Sequence, residues 1–274
     1  MQLRLRNLAV CTSLAMIAAL PGVAFSQSGV FDPEEGVNVI FLGAGSAPDF
    51  MGSDDNATVP AVVARIYFGD TRRYVQLLGT QLSLNLINSD EWAFGPQVVF
   101  RAKRDDDVDN KTVARMKEVD SEAEVGVFIS RTWVLNPNDR RNKFALRADI
   151  GSGEGEFGTA SANLWVPVSP RMVLNFGGGL AYGSNKWTDN YFGVKGTDVA
   201  LYPSLGGREY KADGGLYDFR LNVGMIYHMT KNWHLGAGFR YSQLQGDAKD
   251  SPIVSQEGNK NQYIFGAAIG YAWQ

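Results

Sequence analysis

Four short stretches carry residue types that could do chemistry. Gly43-Ala44-Gly45-Ser46-Ala47-Pro48 starts like a dinucleotide-binding turn, where glycines let the backbone approach a pyrophosphate. The third glycine is missing, and Pro48-Asp49 opens no helix of a βαβ unit, so the stretch reads as a glycine-rich strand end entering a loop. Asp105-Asp106-Asp107-Val108-Asp109 is an acidic run. A calcium loop wants spaced oxygen ligands and a glycine at its sharp turn, and neither is present. The run reads as a solvated loop that Arg101, Lys103, Arg104, Lys111, Arg115 and Lys117 can pair with, unless they meet lipid phosphates. His228 and His234 are the only histidines, and two imidazoles do not close a metal site. In Asp250-Ser251-Pro252 a hydroxyl sits near Asp247, but the chain has no Gly-x-Ser-x-Gly elbow to present it as a nucleophile. Turn chemistry explains that stretch: Asp and Ser cap, and Pro252 stiffens. The residues thus point to no catalytic set, no cofactor and no metal site, and to a non-enzymatic protein.

The elements that position these residues start after an export signal. Arg4 and Arg6 precede an apolar run over 8–20, too short to span a bilayer, and Ala24-Phe25-Ser26 has the form of a cleavage site. The expected division is a signal peptide at 1–26 and a barrel domain at 27–274. Cys11 leaves with the signal, so the mature chain offers no disulfide and no thiol. Without Arg4 and Arg6, 24 Lys and Arg face 29 Asp and Glu, and the net charge moves from −3 to −5. A mildly acidic exported chain with no basic stripe is no nucleic-acid binder.

The dominant pattern is period two. In 217–229, Tyr217, Phe219, Leu221, Val223, Met225, Tyr227 and Met229 alternate with mostly polar or small residues, Ile226 being the exception. The same alternation recurs in 233–242 and 263–273, and period two means strands. A soluble sandwich would alternate too. Here segments of about 10–13 residues suit tilted spans of a hydrocarbon layer. Aromatics gather at segment ends (Tyr217, Tyr227, Trp233, Tyr241, Tyr263, Tyr271, Trp273) as in the girdles of outer-membrane barrels. The opposite face carries glycine, alanine and charge, too small and polar for a shared oily core. The fold class is therefore all-β, a closed antiparallel transmembrane barrel.

Twelve strands are expected, at 37–45, 59–68, 73–78, 80–87, 92–101, 122–134, 143–151, 157–168, 172–183, 217–229, 233–244 and 261–273. The stretch 73–87 is divided at Gly79 because single-chain bacterial barrels have an even strand count. Short turns near 69–72, 88–90, 136–141, 169–171 and 230–232 then fall on the periplasmic side. The long connections 46–58, 102–121, 184–216 and 245–260 fall on the other. Inward positions hold Arg101, Glu122, Glu124, Arg147, Asp149, Asp218, Arg220 and Arg240, mixed signs that suit paired networks or a selective lumen. The longest loop holds Trp187, Tyr191, Phe192, Tyr202 and Tyr210, which could anchor a partner or fold inward as a plug.

Several stretches together resemble the MipA/OmpV family, the MltA-interacting proteins of Gram-negative outer membranes. They are Ala47-Pro48-Asp49-Phe50-Met51-Gly52-Ser53-Asp54-Asp55, Tyr191-Phe192-Gly193-Val194, Tyr210-Lys211-Ala212-Asp213-Gly214-Gly215-Leu216-Tyr217-Asp218, Tyr241-Ser242-Gln243-Leu244-Gln245-Gly246-Asp247-Ala248-Lys249-Asp250-Ser251-Pro252-Ile253-Val254 and Gly270-Tyr271-Ala272-Trp273-Gln274. The resemblance implies an outer-membrane barrel in contact with lipid and lipopolysaccharide. It also implies a scaffold that joins a lytic transglycosylase to a penicillin-binding peptidoglycan synthase. It transfers no catalytic residue. The alternative expectation is a channel for small solutes, with space left by inward Gly and Ala.

Overall fold

The computed structural model describes residues 36–201 and 205–274. Twelve strands run in chain order: β1 (Asn38–Pro48), β2 (Asn56–Tyr67), β3 (Tyr74–Leu78), β4 (Gln81–Asn85), β5 (Trp92–Arg101), β6 (Glu122–Val134), β7 (Lys143–Ser152), β8 (Glu156–Ser169), β9 (Met172–Gly183), β10 (Gly215–His228), β11 (Trp233–Leu244) and β12 (Asn261–Trp273). Each pairs antiparallel with its neighbours in sequence, and β1 also pairs with β12, from Asn38 opposite Trp273 to Ser46 opposite Phe265. The sheet is closed, so no strand is left as a free edge along the whole wall. The described helices are short, and none is long and apolar enough to cross a membrane. The signal expected at 1–26 lies outside the described residues.

Alternation decides which face meets lipid. In β12, Tyr263, Phe265, Ile269 and Tyr271 are exposed, while Gln262, Ile264, Ala268 and Ala272 are buried. In β10, Phe219, Leu221 and Val223 are exposed and Asp218 is buried. Large apolar side chains facing outward around a closed sheet make a lipid-facing band. The division at Gly79 holds: β3 and β4 form a hairpin, with Leu78 opposite Gln81 and Gly79 at φ +57°, a conformation glycine adopts without strain.

One strand departs from its expected parity. The β9–β10 register shifts between Leu216 and Asp218, so Tyr217 is an extra residue in a bulge. Tyr217 and Asp218 are both buried, and Tyr217 does not belong to the lipid girdle. Past the bulge the expected parity resumes, and Ile226 points inward with Val39, Phe41, Val63, Leu78, Ala268 and Ala272. That cluster is a local apolar patch on an inner wall otherwise rich in small and polar residues.

The turns 68–73, 86–91, 135–142, 170–171 and 229–232 lie at one end, as do the start of β1 and the end of β12. The connections 49–55, 79–80, 102–121, 153–155, 184–214 and 245–260 lie at the other, and 79–80 and 153–155 are short there too. Short periplasmic turns and longer outer loops orient bacterial barrels, so the first end faces the periplasm.

Candidate functional site

The outer end is filled by its own loops. Between β9 and β10 run α1 (Asn185–Phe192) and α2 (Gly196–Leu201); between β11 and β12 run α3 (Gly246–Asp250) and α4 (Pro252–Ser255). Phe50, Val113, Met116, Val194, Leu205 and Ile253 form one buried cluster with members from all four long connections. Each side chain so buried stabilises the cap by roughly 1.5–3 kcal/mol. Below it, Trp187 stacks on Tyr217 at 4.4 Å between ring centres and meets Tyr191 at 4.6 Å. Trp187 is 0% exposed, and Gly155 makes room for it: a Cβ at Gly155 would lie 2.4 Å from the Trp187 backbone nitrogen.

Polar contacts lock this cap to the wall. The Trp187 indole N–H donates to Glu124 Oε1 at 2.6 Å, and Arg101 Nε donates to Glu124 Oε2 at 2.7 Å. The Ser251 hydroxyl, fully buried, donates to the Phe192 carbonyl at 2.6 Å and accepts from the Ile253 N–H at 3.3 Å. Ser251 therefore caps α4 and ties it to α1. Arg104 Nη1 donates to the Tyr191 carbonyl at 2.8 Å, and burial lowers this guanidinium to about 10 against the pull of Asp198. Burial also raises the Tyr210 phenol to about 12, with Asp247 adding to it; its O–H donates to the Asp247 carbonyl at 2.8 Å.

The eight inward charges sit beneath this cap, largely in pairs. Arg101 meets Glu124, Arg147 meets Asp149 at 2.7 Å, and Arg220 meets Asp218 at 2.5 Å. Asp149 also accepts from Gln81 at 3.1 Å and from Thr159 at 3.0 Å. Arg147 further donates to Gln97 at 2.9 Å and Ser83 at 3.2 Å. Glu122 lies beside Glu124 on β6, and Arg240 is buried near Arg220 and Asp218. Such pairing satisfies charge that the wall would otherwise bury at high cost. Trp187, Tyr191 and Phe192, named as loop contacts, are buried in the cap; Tyr210 is partly buried, and Tyr202 lies outside the described residues.

The periplasmic end is different. A cavity of about 1070 Å³ opens there, lined by the turns 138–141, 170–171 and 229–232 and by inward residues of β1 and β7–β12. Among the described residues its lining carries Arg140, Arg141, Lys143, Arg171 and Lys231 and one acidic side chain, Asp139. Asp139 accepts two bonds from Arg141, at 2.8 and 2.7 Å, and that partner holds its carboxyl below the ordinary range. A second chamber of about 120 Å³ lies beside it at the same end, lined by Arg72, Asp90 and Glu91 of the turns 68–73 and 86–91, and shares Lys143 and Trp165 with the first. The Lys143 ammonium lies 5.2 Å from the Trp165 ring centre. His228 and His234 meet across their turn, Nδ1 to Nδ1 at 2.8 Å, on the cavity wall. No group of three or more metal-ligating side chains occurs among the described residues.

Sequence reasoning missed this basic mouth. Arg140, Arg141, Lys143, Arg171 and Lys231 lay in or beside stretches assigned as turns, and their shared sign in successive periplasmic turns was the available signal.

Comparison with known proteins places the chain in a family. Residues 40–273 match the family described as MltA-interacting protein MipA. The chain belongs to that family. Outer membrane protein OmpV of Vibrio cholerae is 29% identical over 141 residues, which are 46% of this chain and 52% of that protein. The match thus spans about half the length of this relative. Among solved structures, the NanC porin is similar with a TM-score of 0.48 and 12% identity, over 85% of this chain and 98% of that one. The translocator domain of the autotransporter NalP from Neisseria meningitidis has a TM-score of 0.38 and 13% identity, over 89% and 91%. Neither structural likeness says anything about what this chain does. Membership of the family places the barrel in the outer membrane.

Proposed function

We propose that this barrel is a non-enzymatic docking component of the cell envelope that presents its periplasmic mouth to a murein-remodelling enzyme. The MltA of the family's description is the first candidate, a lytic transglycosylase by the resemblance stated above, and a penicillin-binding synthase is the second. One observation carries the reading: the lumen is capped on the outside by its own loops and open on the periplasmic side through a cavity of about 1070 Å³. Short turns alone offer little area, whereas a stable interface buries roughly 1,200 Å² or more in total. A concave mouth adds surface that the turns lack, because an inserted segment contacts several walls at once.

Crosslinking in intact envelopes tests this. Photo-crosslinkers at turn positions 138 and 231 are expected to capture a murein enzyme, and crosslinkers in 184–214 are expected not to. Recovery of abundant neighbouring porins alone from both sets would sink the reading. The channel alternative draws support from the second chamber of about 120 Å³, which widens the open space at the periplasmic end. It requires the Trp187 cap to leave the outer end.

A further inference from the structure

We infer that the lipid-facing wall carries a headgroup site for a phospholipid of the periplasmic leaflet, built on Arg131 and Glu91 and fitted to a zwitterionic phosphoethanolamine group. The site lies on the outside of the wall, so it stands apart from both the docking and the channel readings. Val125, Val127 and Ile129 of β6 are exposed and face lipid, and Arg131 follows at the same spacing. Along the described strands, Arg131 and Glu156 are the charged residues that fall on the outward side. Glu156 is the first residue of β8, at the outer rim; Arg131 lies within the wall, between Ile129 and Trp133. A charge on the lipid side of a barrel becomes more unfavourable the deeper it sits, so it needs partners where it stands.

Position fixes the leaflet. Arg131 pairs across strands with Trp92, the first residue of β5, which follows the periplasmic turn 86–91. Trp92 is exposed on the same face. The Arg131 guanidinium carbon lies 5.1 Å from the Trp92 ring centre and 4.8 Å from that of Trp133. Trp133 in turn stacks on Phe144 at 5.7 Å. Outward aromatic rings mark the boundary between acyl chains and headgroups. The guanidinium is therefore at the depth of the periplasmic leaflet's phosphates.

Charge fixes the headgroup. Arg131 Nη2 donates to Glu91 Oε2 at 3.2 Å, and the two side chains stay 39% and 58% exposed. That bond uses one donor of the guanidinium, and its Nε has no hydrogen-bond partner. A lipid phosphate is an acceptor that suits the remaining donors. The Glu91 carboxylate beside it repels a purely anionic headgroup and accepts from an ammonium. A cation and an anion one ion pair apart match the phosphate and the primary ammonium of phosphoethanolamine. The two indoles hold the guanidinium plane, so binding orders little that is not ordered already.

The test uses the full chain folded in detergent micelles and an equimolar mixture of phosphatidylethanolamine, phosphatidylglycerol and phosphatidylcholine with matched acyl chains. Native mass spectrometry reads which lipid stays bound. Phosphatidylethanolamine should be retained over each of the others by at least about threefold. Arg131→Gln should abolish that preference. Glu91→Gln should reverse it in favour of phosphatidylglycerol, a change that loss of a merely structural ion pair would not produce. Heat-modifiable gel mobility checks that each variant is folded, and if Arg131→Gln does not fold, the reversal in Glu91→Gln decides alone. Equal retention of the three lipids by the unaltered chain overturns the proposal, as does a preference for phosphatidylglycerol. A phosphatidylethanolamine preference that survives Arg131→Gln overturns it too. Displacement of the bound phospholipid by added lipid A overturns the assignment to the periplasmic leaflet.

Discussion

The two ends of one lumen solve different problems with the same residue types. At the outer end, guanidinium and carboxylate groups are matched, covered by indole and phenol rings, and sealed by apolar side chains from four loops. Glu124 there is 0% exposed and receives both Arg101 and the Trp187 indole. At the periplasmic end, basic side chains ring an open cavity, and among the described residues Asp139 is the one acidic side chain of its lining. The lesson is that net charge along a barrel wall carries little meaning until its local pairing is known. Paired charge holds a cap in place at one end; at the other, most charged side chains of the lining are basic.

The sharpest way to break the contrast is Trp187→Ala. Deleting a fully buried indole costs roughly 3–5 kcal/mol and leaves Glu124 with one partner fewer. The cap should loosen, so that limited proteolysis cuts within 184–214 and planar bilayers show conductance steps. Gly155→Ala should act in the same direction by crowding the Trp187 backbone, at about 1–3 kcal/mol. Its expected signature is earlier proteolysis of the same loop, with the barrel's heat-modifiable mobility unchanged. Ser251→Ala removes the donor to the Phe192 carbonyl, at about 1–2 kcal/mol. Hydrogen exchange should rise in α1 and α4, and not in the turn 135–142.

The smallest effect sharpens the periplasmic side. Arg141 lowers the Asp139 pKa chiefly by hydrogen bonding. A carboxyl depressed in the folded state stabilises its turn above the unfolded value near 4, and that support is lost as pH falls below it. Amide exchange over 138–142, corrected for intrinsic rates, should therefore speed up only below about pH 4. Arg141→Ala should remove the step. The pair is partly solvated, so the change is modest.

Much of this architecture was legible because lipid enforces a period of two. Ile269, Phe265 and Leu221 announce their face by spacing alone, and strand parity settled the division at Gly79. Tyr217 was misplaced because a single extra residue in β10 reverses parity over one position, which periodicity cannot register. The partners of the inward charges could not be read from the sequence: Arg147 with Gln97 and Ser83 joins β7 to β5 and β4, and such register across a closed wall follows from no local pattern. Trp187 and Ser251 lie in loops, whose fold is set by what they pack against. The basic mouth went unread because Arg171 and Lys231 sit in turns, where polar residues are ordinary.

Single-channel recording in planar bilayers tests the central claim most directly. The account predicts that the unaltered barrel gives no stable conductance steps, whereas Trp187→Ala does. Large, stable steps from the unaltered barrel, unchanged by that substitution, would show an open passage where a closed outer end is described.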